Sequence, residues 1–292
     1  MDTAIELAAK LAVWSGPIEL QPLTGGITNT NFLAVDAGKK YVVRIGEDIP
    51  VHGVMRQHEL EASKAAEAAG ISPAIVYSEP GALVMDFIEG RTLSAIDIRT
   101  PRYRDQIMAL IRCIHHDMPR FIQRAHWTFN VFDVLRNYRQ TLETGDSRMR
   151  TALPRLEKIS GVLEEVAGVQ EPVFGHNDLL AANFIDDGAK LWVIDWDYAG
   201  FGSPLFDLSN LASNNEFDID LEHSLLENYF GSPAETDLWR SYSAMKCASL
   251  LREAMWSMVS EIHSELAFDY ASYTTKNLER FELAYGNFEQ QA

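Results

Sequence analysis

Hydrophobic residues in the first part of the chain fall into short runs that predict β-strands. β-Branched and aromatic side chains cluster at residues 31–35, 41–45, 75–77 and 82–85. Turns at 36–39 and 79–81 join these runs into two hairpins. An alanine-rich stretch between the hairpins predicts a helix from about 55 to 69, and helical spacing near the N-terminus predicts a short amphipathic helix. This part of the chain therefore predicts a small, strand-rich lobe.

After Gly90 the apolar residues recur mostly at helical spacing, at 103–116, 131–143, 149–166 and from about 221 to 288. The exception is a polar loop at 174–183, after which residues 184–185 and 191–194 predict a hairpin around a turn at 186–188. We therefore predict an α+β fold with a small β-rich N-terminal lobe (1–88) and a larger, mainly helical C-terminal lobe (89–292). A connector near Asp86 to Gly90 joins them.

The composition narrows the class of protein. The 292 residues include 42 acidic and 25 basic side chains, and the resulting net charge of -17 argues against general nucleic-acid binding. Cys113 and Cys247 are far apart and lack zinc-site spacing, so we expect free thiols in a reducing compartment. Neither a membrane-spanning apolar run nor a signal-peptide pattern is present, which predicts a cytoplasmic protein without a membrane partner.

The sharpest chemical signal is a polar motif over residues 176–183, followed by the predicted hairpin and a second motif at 194–197. Phosphoryl transfer from ATP needs a carboxylate aimed at the attacking hydroxyl and oxygen ligands for Mg²⁺. Asp178 and Asn183 have the spacing of the kinase catalytic loop, and Asp195 follows as the metal-binding aspartate. Asp197 is a candidate for a second metal or for support. His176 is predicted to bond backbone carbonyls and hold the catalytic aspartate in place.

A nucleotide site also needs a cover for the triphosphate and a fixed cation. The loop at 24–31 is rich in small residues whose amides can approach phosphates, although it matches neither the Walker pattern nor Gly-x-Gly-x-x-Gly. Arg44, on the strand after this loop, could contact the α- and β-phosphates. Glu59, in the following helix, is its expected partner, with Glu61 as the alternative on a different helix face.

These motifs give the chain a resemblance to a known family. The segments that carry it are residues 25–32, 42–45, 176–183, 195–199, 206–210, and Trp256 with 268–273. The chain resembles the choline/ethanolamine kinases of the aminoglycoside-phosphotransferase-like superfamily over nearly its whole length. The resemblance implies a bilobal, protein-kinase-like fold and an enzyme that uses ATP and Mg²⁺ to phosphorylate a small amino alcohol, with choline or ethanolamine as the expected acceptor.

The resemblance also assigns residues. Asp178 would be the catalytic base, and Asn183 and Asp195 the magnesium ligands. The nucleotide would be bound by Gly25, Gly26, Thr28, Asn29, Asn31, Arg44, Glu59, Asp86 and Ile88. The acceptor would be bound by Tyr198, Trp256, Tyr270, Tyr273 and Glu216. Rings suit a quaternary ammonium because it cannot donate hydrogen bonds, and each ring face contributes on the order of 0.5 to 2 kcal/mol.

Three departures from the family pattern leave the acceptor open. Leu180 stands where better-known choline kinases carry glutamine, Asn214 replaces an acidic residue for which Glu216 could substitute, and Glu253 replaces a second tryptophan. The alternatives are an aminoglycoside or a sugar such as methylthioribose as acceptor, a kinase-like binding protein without activity, and a metal-dependent hydrolase using Asp178, Asp195 and Asp197. A homodimer also remains open.

Overall fold

A computed structural model describes residues 2–23, 29–123, 127–264, 266 and 268–291. Its strands are β1 (Glu19–Leu23), β2 (Thr30–Asp36), β3 (Lys39–Ile45), β4 (Ile75–Glu79), β5 (Ala82–Asp86), β6 (Arg91–Thr92), β7 (Val173–Gly175), β8 (Phe184–Asp186), β9 (Leu191–Val193) and β10 (Gly200–Gly202). Its helices are α1 (Asp2–Ala9), α2 (Arg56–Ala68), α3 (Ala95–Ile98), α4 (Pro101–Arg112), α5 (Val131–Thr144), α6 (Leu153–Ala167), α7 (Pro204–Asn214), α8 (Ile219–Phe230), α9 (Thr236–His263) and α10 (Tyr270–Glu289).

The N-terminal lobe is built on an antiparallel sheet with strand order β1-β2-β3-β5-β4. Side chains alternate between the two faces of a strand, so Val43 and Ile45 pack with α1 in one small core while Val42 and Arg44 point to the other face. That second face forms one wall of a cleft between the lobes. The alternation of side chains along β3 therefore places Arg44 on the cleft face of the sheet.

The C-terminal lobe is organised around α9, which packs against α5, α6, α7 and α10. Most of α9 between 242 and 260 is buried, which explains why no single apolar stripe marks it in the sequence. Helix α2 contributes Ala62, Ala65 and Ala66 to this larger core rather than to the sheet core. The helix that carries Glu59 is therefore fixed to the C-terminal lobe.

The predicted α+β architecture is confirmed, with a small antiparallel sheet in the N-terminal lobe and a helical C-terminal lobe. The predicted hairpins are present, but β1 and α7 were not predicted. β1 is a largely exposed edge strand that contains Pro22, and α7 is buried on nearly every side, so neither has the expected periodicity. The boundary between the two lobes at 88/89 remains a proposal. It is consistent with the end of β5 at Asp86 and with the pairing of β6 with β8, a strand of the C-terminal lobe.

Two further sequence expectations concern thiols and membranes. Both cysteines are free; Cys247 is buried and Cys113 is half-buried. Over the ranges described above, no helix combines the length and apolar character needed to cross a bilayer.

Candidate active site

A buried carboxylate on α7 positions the loop between β7 and β8. Asp207 accepts hydrogen bonds from the backbone N–H groups of His176 (2.8 Å) and Asn177 (2.6 Å), and its other partner is the His115 Nε2 (3.1 Å). An added Cβ on Gly175 would lie 3.2 Å from the Asp207 carboxylate and 2.9 Å from Asn177 Oδ1, so glycine allows this close approach. These contacts fix the backbone that precedes Asp178.

His176 has the backbone contacts predicted for a scaffold. Its Nε2 lies 3.1 Å from the carbonyl oxygen of Ile194, and its Nδ1 accepts the backbone N–H of Asp178 at 3.3 Å. The imidazole is completely buried, and burial lowers its pKa. A neutral ring with its proton on Nε2 satisfies both contacts, so His176 ties the Asp178 loop to the strand end before Asp195.

Asp178 is a carboxylate whose surroundings suit proton transfer near neutral pH. Burial raises its pKa to about 7, and the charge of Arg252 opposes that rise. The nearest cationic atom is Arg252 Nη1, 3.7 Å from Asp178 Oδ1. Because the pKa lies close to neutrality, Asp178 can accept a proton and then release it.

Asn183 and Asp195 bring two oxygen donors to the same cleft wall. Asn183 donates from Nδ2 to the carbonyl oxygen of Asp178 (2.9 Å), which leaves its amide oxygen as the atom able to bind a cation. Asp195 has a left-handed backbone (φ 72°), an uncommon conformation for a non-glycine residue. Within the described ranges, no group of three or more His, Cys, Asp or Glu residues could hold a metal ion. A magnesium ion at Asn183 and Asp195 would therefore need phosphate and water oxygens as further ligands.

Two arginines and three acidic residues form a charged cluster across the cleft. Arg44 pairs with Glu59, as predicted in preference to Glu61, and also lies 3.0 Å from both Asp195 and Asp197. Arg56 lies 2.7 Å from Glu59 and 2.9 Å from Asp197. Burial raises the pKa of Glu59 against the pull of both arginines. Since Asp197 contacts both arginines, its carboxylate links the two lobes, which favours support over metal binding for this residue.

The cleft contains a cavity of about 410 Å³. Of the predicted nucleotide-binding residues, those on its wall are Asn31, Arg44, Glu59, Asp86 and Ile88. Gly25, Gly26 and Thr28 lie outside the described residues. Asn29 donates a hydrogen bond to Asp197 (3.3 Å), and the Asp86 carboxylate pairs with Lys39 (2.7 Å).

The predicted acceptor-binding rings lie close together, whereas Glu216 does not contact them. Trp256 Nε1 donates to the Tyr198 hydroxyl (3.0 Å), and the Trp256 centroid lies 6.0 Å from Tyr270 and 6.5 Å from Tyr273. The Glu216 side chain is 70% exposed and pairs with Arg99 at 3.3 Å. No contact described for Glu216 supports its predicted role.

Sequence reasoning missed four residues that shape this site: His52, Arg56, Asp207 and Arg252. Each has a partner distant in the chain that spacing does not reveal, although Arg56 also pairs with Glu59 three residues away. One local signal was available for Arg252, because two adjacent charged residues, Arg252 and Glu253, interrupt an apolar stretch of α9.

Known proteins share both the sequence pattern and the fold. A family model for choline/ethanolamine kinase matches residues 20–229. A probable ethanolamine kinase from Arabidopsis thaliana is 27% identical over 313 residues, covering 93% of this chain and 79% of its own. Among solved structures, a choline/ethanolamine kinase family protein from Mesorhizobium loti is similar with a TM-score of 0.77 and 24% identity, covering 99% of this chain and 97% of its own. Choline kinase LicA from Streptococcus pneumoniae is similar with a TM-score of 0.76 and 21% identity, covering 97% and 99%, and a structure of LicA contains AMP.

The similarity to these solved structures also shows that the fold is kinase-like. The family match extends from the N-terminal sheet through α7 and into α8, so it includes both motifs of the cleft. This chain belongs to the choline/ethanolamine kinase family, and it is therefore an ATP-dependent small-molecule phosphotransferase.

Proposed function

We propose that this protein transfers the terminal phosphoryl group of ATP, with Mg²⁺, to the hydroxyl of a small amino alcohol such as ethanolamine or choline. One observation carries the proposal: Arg44, on the β-sheet of one lobe, lies 3.0 Å from Asp195 of the other. The two sides of the cleft therefore meet where a kinase would hold the terminal phosphates.

In the proposed reaction the acceptor hydroxyl lies against Asp178. Its oxygen forms a bond to the terminal phosphorus, and its proton passes to the Asp178 carboxylate. The bond from that phosphorus to the bridging oxygen breaks, and ADP leaves with the electron pair. When bound, Mg²⁺ would neutralise charge on the phosphates, with Asn183 and Asp195 as its protein ligands.

The residues around Asp178 supply orientation. The hydrogen bond from Asn183 to the Asp178 carbonyl (2.9 Å) and the His176 contacts keep the base and the proposed metal ligands in one rigid unit. The connector at 86–88 lines the other end of the cavity and is the proposed site of the adenine ring. Arg44 and Glu59 would position the phosphates between these two ends.

The test is an ADP-release assay with product mass detection. Ethanolamine, choline, an aminoglycoside panel and methylthioribose serve as acceptors, with and without Mg²⁺. We expect a phosphorylated amino alcohol and no comparable product from the other acceptors. A phosphorylated aminoglycoside or sugar instead would keep the chemistry and reject the acceptor class.

The role of Asp178 is tested separately. Asp178→Asn removes the proton acceptor without changing side-chain size, and we expect kcat to fall by roughly 10²- to 10⁴-fold while Mg-ATP still binds in calorimetry. Asp220→Asn, which removes an exposed carboxylate from α8, is the matched control. Turnover by Asp178→Asn at the rate of the control would reject the proposed base.

A further inference from the structure

The rings predicted to surround the acceptor are already partly covered by other side chains. The Arg252 guanidinium lies over Tyr198, 4.4 Å from the ring centroid. The His52 ring lies 5.2 Å from Trp256 at an angle of 31°, and Trp256 is 4% exposed. An acceptor cation therefore has less ring surface available than a four-ring cage would offer.

Two carboxylates lie beside these rings. Glu253 accepts a hydrogen bond from the Tyr273 hydroxyl through Oε1 (2.7 Å), and its Oε2 is 3.7 Å from Arg252 Nη1. Asp178 Oδ1 is also 3.7 Å from the same nitrogen. The Glu253 and Asp178 side chains are 19% and 17% exposed, so both remain open to a small molecule.

The positive charge of Arg252 offsets part of the negative charge of Asp178 and Glu253, but Arg252 does not form close hydrogen bonds with these carboxylates. It is 2% exposed, and its Nε and Nη1 have no hydrogen-bond partner among the residues that the structure describes. At 3.7 Å the contacts to Asp178 and Glu253 are electrostatic, since a charged N–H···O hydrogen bond is about 2.7 to 2.9 Å long. When both carboxylates are ionised, one positive and two negative groups leave an excess negative charge, and within the described residues Glu253 Oε2 has its nearest cationic nitrogen at 3.7 Å.

A cationic acceptor that carries N–H groups satisfies both requirements, and a quaternary ammonium satisfies only the first. Carboxylate oxygens form charge-assisted hydrogen bonds with ammonium N–H groups. A trimethylammonium has no N–H and is held mainly by ring faces, which are partly covered here.

We infer that Glu253 is a specificity-determining residue that binds the N–H of the acceptor's ammonium group, so that the site prefers a primary, secondary or tertiary amino alcohol to a quaternary one. This inference rests on the proposed function. The distance between the two carboxylates suits a small acceptor. Asp178 Oδ1 and Glu253 Oε2 each lie 3.7 Å from the same Arg252 nitrogen, so these oxygens are at most twice 3.7 Å apart. A two-carbon amino alcohol can hydrogen-bond both at once, with its hydroxyl at Asp178 and its nitrogen at Glu253.

The test compares ethanolamine, N-methylethanolamine, N,N-dimethylethanolamine and choline as acceptors of the intact enzyme. All four are cations with the same hydroxyl, and only choline lacks an N–H. We expect kcat/KM to fall by roughly 10- to 100-fold at the final methylation, the range for losing a hydrogen bond to a charged group. A smooth decline across the series, or choline as the best acceptor, would overturn the inference while leaving the kinase proposal intact.

The variant Glu253→Gln tests whether Glu253 causes the preference for N–H-bearing acceptors. The amide keeps an oxygen for the Tyr273 hydroxyl but loses the charge, so we expect KM for the three N–H-bearing acceptors to rise by roughly tenfold or more, with kcat changed much less. Activity with choline should fall less than activity with the N–H-bearing acceptors, because choline loses only the attraction of the charge and no hydrogen bond. Glu279→Gln, an exposed position on α10, is the control and should match wild type. Equal losses for all four acceptors would reject Glu253 as the determinant. Failure to phosphorylate any of them, with turnover of another acceptor class, would overturn the proposed function and this inference together.

Discussion

His52 is a histidine that folding keeps neutral, and this makes the stability of the protein depend on pH. It lies in a short 3-10 turn before α2, is 7% exposed, and has Tyr138 (3.1 Å) and Ser260 (3.1 Å) as hydrogen-bond partners on α5 and α9. Burial, and then the charge of Arg252, lowers its pKa to about 3. The turn joins the N-terminal lobe to the wall behind Trp256, so the prediction also tests how this wall is held.

The sign and size of the effect follow from proton linkage. Above the ordinary value of 6.5, His52 is neutral in both the folded and the unfolded state and has no effect. As the pH falls below 6.5, only the unfolded state takes up the proton, so stability is lost until the folded pKa near 3 is reached. At about pH 5 the loss from this one group is about 2 kcal/mol, at about 1.4 kcal/mol for each pH unit.

Urea unfolding measures this directly. We compare wild type with His52→Gln, which cannot titrate, at about pH 8 and about pH 5. The fall in unfolding free energy between the two conditions should be smaller in His52→Gln by about 2 kcal/mol. His223→Gln removes an exposed imidazole from α8 and should behave as wild type. Equal pH dependence in wild type and His52→Gln would refute the reasoning, because it would mean that His52 is protonated alike in both states.

Three further predictions concern the cleft. Arg44→Met leaves Glu59 and Asp197 without one of their cations, so the free energy of unfolding should fall by about 3–5 kcal/mol in denaturant titrations. Calorimetry should show Mg-ATP binding weakened by roughly tenfold or more. Unchanged stability would contradict a structural role for this buried pair. In Asp207→Asn, a donor replaces one of the two oxygens that accept the backbone N–H groups of residues 176 and 177, so the free energy of unfolding should fall by about 1–3 kcal/mol. The variant should lower kcat more than it raises KM for ATP. A larger effect on KM than on kcat would place Asp207 in nucleotide binding. Chelating Mg²⁺ with EDTA should abolish most of the thermal stabilisation by ADP, and an equal shift without the metal would argue against Asn183 and Asp195 as its ligands.

The parts of the site that local sequence predicted are those fixed by short-range geometry. Arg44 faces the cleft because it alternates with Val43 and Ile45, which pack on α1. Asp178 and Asn183 are joined within one loop, where the Asn183 amide bonds the Asp178 carbonyl. In both cases the residue types and their spacing are enough to define the geometry.

The parts that were missed depend on contacts between distant segments. Arg252 and Asp178 are brought together by the packing of α9 under the loop, and Arg56 reaches Asp197 because α2 packs on the C-terminal core. The charged residues at 252–253 interrupt an apolar stretch of α9, but the local sequence does not indicate which distant residues they contact. The ring cluster shows the same limit: Trp256 was predicted at the acceptor site, but no local pattern indicates that His52 packs against it.

The charge balance of the cleft is consistent with the proposed use of a divalent cation. Arg44 and Arg56 are paired with Glu59, Asp195 and Asp197, so the cluster already has one more carboxylate than guanidinium groups. A triphosphate entering the cavity adds negative charge beside this excess, and the two arginines cannot neutralise it without releasing their carboxylates, which are buried or partly buried. A cation bound at Asn183 and Asp195, as proposed, would supply charge next to the phosphates, and Asp195 would then be shared between the cation and Arg44. The charge count of the ion pairs therefore supports the proposal that Mg²⁺, rather than a further basic side chain, accompanies the nucleotide in this cleft.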